Sequence, residues 1–212
     1  MVKLQPQPFT TERDVIATFS FNEILEGSGT TVFYGTAQTD DTSTLYSLTA
    51  TTRNSDPILT KADAINHADP QKTVDVDFDI EFNIARTLNG RVVFDLPIGW
   101  ANNTLNNADL YVICVLTNET TSTTLSTTQS ETWASGTVDT HRKRIVMADD
   151  LTNINFSRGD VLRLNVQVWT YLAPAAGNLT NVTINHDPLT TTAAVEDVTT
   201  DLKLHVPFRI DI

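Results

Sequence analysis

The sequence predicts an all-β fold: an antiparallel two-sheet β-sandwich, jelly-roll-like, with about ten strands and one short helix. Three observations carry that expectation. From Val74 to Ile84 every even position is apolar (Val74, Val76, Phe78, Ile80, Phe82, Ile84). Every odd one is polar (Asp75, Asp77, Asp79, Glu81, Asn83). Strict alternation buries one face of a strand and wets the other, whereas on a helix the same residues would point all round it. Extended, this stretch spans roughly 36 Å at ~3.3 Å per residue. The chain closes on the same pattern, with Leu202, Leu204, Val206, Phe208, Ile210 and Ile212 set between Lys203, His205, Pro207, Arg209 and Asp211. Turn signals also recur about every eight to fifteen residues, as a sandwich requires.

Taken in order, residues 1–12 carry two prolines of the Gln-Pro-Gln-Pro run and mixed charge, and read as an extended arm. A single sandwich domain is expected over 13–212. Val15, Ala17, Phe19 and Phe21 alternate as a first strand. Thr31 to Ala37 and Leu45 to Thr52 read as a hairpin across the polar link Gln38 to Thr42. Leu59 to Ala68 is the helix candidate, with Thr60 as N-cap and Asp69-Pro70 as the stop. Asn89-Gly90 predicts a tight hairpin that returns Arg91 to Leu96 against the 74–84 strand. Pro97 to Asn107 reads as a loop. The unbroken apolar run Leu110 to Leu116 predicts a strand that is buried on both faces or lies in mid-sheet. Thr117 to Ser130 reads as a solvated hairpin or a long protruding loop, and 117–135 is expected to face outward. Arg144 to Ala148 reads as a short strand that Asp149-Asp150 ends. Val161 to Trp169 alternates again, with Leu162, Leu164, Val166 and Val168 as its apolar row. Val182 and Ile184 begin another strand.

Composition bounds the function. The chain has 212 residues, a net charge of −12, and 19% charged residues. About one residue in six is Thr, a strand former with a polar tip. The acidic balance argues against nucleic acid and against an anionic membrane surface as partners. Cys114 is the only cysteine and sits in an apolar run, so it reads as a small core residue and no internal disulfide is expected. The N-terminal residues lack an apolar signal core, so synthesis in a cytoplasm without a signal peptide is expected.

Candidate chemistry is sparse. The acidic row Asp75, Asp77, Asp79 and Glu81 is flat, with neighbours ~7 Å apart, and cannot wrap a calcium ion by itself. It is expected to be a solvated face, or one paired with Lys203, His205 and Arg209. Asp95, Asp109 and Glu131 are carboxylates that a glycosidase would need in an opposed pair, and nothing in the sequence selects a pair. The histidines (His67, His141, His186, His205) have no metal-ligand spacing. His141-Arg142-Lys143-Arg144 is the one basic cluster and reads as a local ion-pair patch or docking contact rather than a nucleic-acid site. Trp100, Trp133 and Trp169 could stack a sugar, but core or interface packing is the favoured expectation for them. No catalytic, cofactor-binding or metal-binding residue is assigned, and no enzyme activity is expected.

The run Phe156-Ser-Arg-Gly-Asp-Val-Leu-Arg-Leu-Asn-Val-Gln-Val-Trp169, followed by Gly177 and by Ile184-Asn-His-Asp-Pro188, resembles small β-sandwich virion structural proteins of tailed viruses. The resemblance covers about the last quarter of the chain. It implies a non-enzymatic capsid decoration, cement or auxiliary protein, located in the virion. Its partners would be the major capsid protein or another virion protein, and its own copies, expected as a trimer. The alternative is a carbohydrate-binding or lectin-like sandwich with Trp100 or Trp133 as its platform.

Overall fold

The computed structural model describes residues 28–39, 44–51, 59–65, 69–102, 108–134, 140–172, 178–184 and 202–209. The arm at 1–12 and the expected strand at 15–21 lie outside them. Every regular element among the described residues is a strand. They are β1 (Ser28–Thr39), β2 (Thr44–Thr49), β3 (Leu59–Ile65), β4 (Gln71–Glu81), β5 (Arg86–Asn102) and β6 (Ala108–Asn118). After these come β7 (Thr123–Gln129), β8 (Trp133–Ala134), β9 (Thr140–Phe156), β10 (Val161–Leu172), β11 (Asn178–Ile184) and β12 (Lys203–Arg209).

The strands form one mixed, nearly closed, barrel-like sheet rather than two sheets separate at both edges. One half runs β9-β5-β12-β1-β2 and the other runs β4-β10-β6-β7. They meet at a single parallel pair, Ser47 on β2 opposite Asp79 on β4. At the other side β7 and β9 approach without a ladder, joined where the Ser126 hydroxyl donates to Asp149 Oδ2 at 2.6 Å. That hydrogen bond, with the Asp150 backbone N–H, holds the Asp149 carboxyl below its usual range.

Alternation decides what lies inside. Val74, Val76 and Phe78 from β4 meet Leu162, Leu164, Val166 and Val168 from β10, and Leu110, Val112, Cys114 and Leu116 from β6, all buried. The facing wall is Leu88, Val92, Phe94 and Leu96 of β5 with Leu204, Val206 and Phe208 of β12. β6 lies between β10 and β7, in mid-sheet as expected. Burial pushes the Cys114 thiol well up, which makes it an inert packing residue. One end of the barrel is closed by rings: Phe82 stands edge-on to Phe156 (5.0 Å) and to Phe208 (6.1 Å). The Arg86 guanidinium sits 4.6 Å over Phe208, and burial lowers its pKa. The Ser157–Asp160 turn is tied to this plug, since the Gly159 N–H donates to the Phe82 carbonyl at 2.8 Å.

Several expectations are corrected. Leu59 to Ile65 of the expected 59–68 helix is strand β3, antiparallel to β11. A ten-residue helix has few internal hydrogen bonds to offset nucleation, while the ladder satisfies the backbone along its length. Asn89-Gly90 is not a hairpin tip. Gly90 has φ +119° and sits at a register shift between β5 and β9, a bulge inside a 17-residue strand. The turn after β4 comes earlier, at 82–85, and leaves Ile84 58% exposed. β4 therefore pairs with β10 and not with 91–96. Pro97 to Asn102, expected in a loop, continues β5, whose edge there is taken by β11. Asp149-Asp150 does not end a strand either: β9 runs on to Phe156 against β5, with Arg91 and Asp150 paired side by side.

Candidate functional site

The seam between β7–β8 and β9 holds the most site-like feature. From the Ser126–Asp149 tether the two edges diverge, and a cleft of about 530 Å³ opens between Thr128–Trp133 on one side and Lys143–Met147 on the other. Trp133 is positioned by three contacts. β8 pairs it with Leu110 of β6, its ring packs on the core, and its indole N–H donates to Glu131 Oε1 at 2.7 Å. The Lys143 ammonium lies over that ring, 4.9 Å from the centroid. Ser130 is held in place as well: its hydroxyl accepts the Val112 N–H at 2.9 Å and donates to the Glu131 carbonyl at 2.8 Å. Val146 is 59% exposed in the same wall.

The basic cluster divides its labour here. Arg144 turns to Asp95, a buried carboxylate on β5, and grips it with two hydrogen bonds, Nε to Oδ1 at 2.6 Å and Nη2 to Oδ2. Lys143 points to the cleft. Among the described residues it has no carboxylate in ion-pair contact. Asp95 and Glu131, both candidate acids in the sequence, are thus each committed to a different partner.

The outer face of β4, β10 and β6 is a second polar array. The acidic row is not paired with Lys203, His205 and Arg209, because β12 lies between β1 and β5 while β4 pairs with β10. Its cross-strand partners come from β10, and Lys72 on β4 pairs with Asp75. Arg163 forms a fork on Asp79 (2.7 and 2.8 Å) and reaches Glu119 (2.9 Å) and Asp77 (3.4 Å), contacts that raise its pKa. The Asn165 amide donates to both Asp75 and Asp77 at 2.7 Å. Burial alone would raise the Asp75 carboxyl, yet hydrogen bonds from Asn165 and Lys72 outweigh it and hold the group low. Gln167 donates to Asn165 and accepts the Trp169 indole N–H at 3.1 Å. Trp169 lies parallel to Tyr111, its cross-strand neighbour, with centroids 6.1 Å apart. No group of three metal-ligating side chains gathers among the described residues.

The three tryptophans therefore differ. Trp100 is 2% exposed and lies inside, which removes it as a stacking platform. Trp169 is tied into the outer ladder. Trp133 alone lines the cleft. Its neighbour Lys143 was legible in the sequence only as part of a basic run. Nothing local signals that the two meet, since they sit on strands that share no ladder. No helix among the described residues is long and apolar enough to cross a membrane.

No known protein family and no characterised protein matches the chain in sequence. Among solved structures, a CocE/NonD family hydrolase from Staphylococcus aureus is similar over 86% of this chain and 37% of its own, with 11% identity and a TM-score of 0.47. The infectious bursal disease virus Gx strain structure is similar over 73% of this chain and 34% of that one (9% identity, TM-score 0.32). The VP2 subviral particle of the same virus gives 73%, 36%, 10% identity and a TM-score of 0.31. The chain spans well under half the length of each. At these scores the likenesses carry no argument about function.

Proposed function

We propose that the chain is a non-enzymatic structural protein of a virus particle, a decoration or auxiliary subunit that binds the capsid and its own copies. The observation that supports this is strand order. Eight strands taken in chain order are β1, β4, β5, β6, β7, β9, β10 and β12. The first, eighth, third and sixth pair in sequence in one half. The second, seventh, fourth and fifth pair in the other. With β2, β3, β8 and β11 set aside, that order matches a double Greek key and so supports a jelly-roll reading, an architecture that viral capsid proteins, lectin domains and cupins share. The absence of a His-x-His spacing sets the chain apart from cupins. Since a fold hosts many functions, the reading needs its own test. Source material is fractionated on a density gradient and each band searched for peptides of this chain. High copy number in the band of nucleic-acid-filled particles is expected. Recovery only with free protein sinks the virion reading.

A second reading, a carbohydrate-binding β-fold, is favoured by one observation: an oriented Trp133 lining a polar cleft. The two readings are compatible, because a particle protein can carry a sugar site.

A further inference from the structure

We propose that the Trp133 cleft binds a carboxylate-bearing saccharide, with the indole as the stacking surface and Lys143 as the counter-ion. This rests on the sugar-binding reading of the cleft and adds the ligand's charge to it. Three features converge. The cleft, about 530 Å³, falls in the size range of small-ligand pockets. Its aromatic wall is preorganised, because the Glu131 hydrogen bond and the β8 pairing leave Trp133 one orientation. Its cation lacks a carboxylate partner among the described residues, although the chain carries a net charge of −12.

The neighbouring charges explain why Lys143 is the selective group. Arg144 is committed to Asp95, and the Glu131 carboxylate to the indole N–H. That leaves the ammonium to rest over the ring at 4.9 Å, a cation–π contact of modest strength at an exposed site. A ligand carboxylate offers it a charge-assisted hydrogen bond, which is stronger. As the ammonium swings to the carboxylate it uncovers the indole face. The apolar C–H face of a pyranose ring then takes its place, a surface a bare anion cannot supply. Thr128, Gln129 and Ser130 rim the cleft with groups suited to hydroxyls.

The test uses the full chain and three probes: the methyl glycoside of N-acetylneuraminic acid, its neutral methyl ester, and acetate. Binding is read by saturation-transfer NMR and by tryptophan fluorescence. The expected result is that the acid binds about tenfold more tightly than the ester. Lys143→Gln should erase that difference with unchanged melting, and Trp133→Phe, read at a temperature where the variant is folded, should weaken both sugars. Equal binding of acid and ester, or a preference that survives Lys143→Gln, overturns the inference while the sugar reading stands. Acetate competing as well as the acid overturns it in favour of a simple anion site. No binding of either sugar overturns both. None of these outcomes bears on the virion test.

Discussion

Arg144 and Asp95 show how one contact can outrank a whole charge run. Asp95 is buried between Val146 on one neighbouring strand and Lys203 on the other, and the Arg144 fork satisfies it. Removing the arginine strands a buried carboxylate. Arg144→Ala is expected to cost about 1–3 kcal/mol, at the low end of such losses because the Arg144 side chain is 49% exposed. Urea unfolding midpoints with an unchanged slope would check it. His205, half-buried on β12, has its pKa pulled below 6.5, first by burial and then by Lys203 and Arg144, against the opposing pull of Asp95. As pH falls through the ordinary histidine range, the unfolded chain takes up the proton first. Stability is therefore full above that range, declines as pH drops toward the depressed folded value, and levels off below it. A melting series from about pH 8 to about pH 5 should show this decline, and His205→Gln should flatten it.

At the scale of elements, β5 and β9 depart most from a local reading. Each is 17 residues long, and each contains residues that usually mark ends: Asn89-Gly90, Pro97 and Gly99 in β5, Asp149-Asp150 in β9. The same glycine property serves a hairpin turn or a bulge, because both need positive φ. Here Gly90 has φ +119°, and a Cβ at that site would stand 3.2 Å from Pro207. Gly90→Ala is accordingly expected to destabilise the protein by about 1–3 kcal/mol. Ala at Gly159, which also has positive φ but open space around it, should cost less. Thermal denaturation of the two variants side by side decides the ranking. Among the strands that read correctly, β4, β10 and β12 carry a period-two alternation, β6 is an unbroken apolar run, and β1 and β2 pair antiparallel as their hairpin pattern predicts. β3 read as a helix because seven residues of mixed pattern carry little periodic signal, and its state is decided by the β11 edge beside it.

For the whole molecule, the proposed role rests on contacts beyond the barrel. Removing residues 1–12 is expected to abolish particle binding while leaving the melting temperature unchanged. Unchanged binding would end the arm's role, and a lowered melting temperature would place those residues in the folded unit instead. The sequence by itself determined that the fold is all-β at its core and which side chains of the alternating strands face inward, Ile84 excepted. It marked Cys114 and the Val161–Trp169 row correctly, because the two faces of a strand are set by a period of two that each segment carries within itself. Only the tertiary structure decided which edges meet. It placed the acidic row beside Arg163 and Asn165, took Trp100 into the core, closed the barrel through Ser47 and Asp79, and set Lys143 over Trp133. The physical reason is that burial is a property of each residue's own segment, while strand pairing is chosen by the summed packing and hydrogen bonding of segments far apart in the chain. The candidate site lies at a seam between two such segments, and no stretch of sequence contains it.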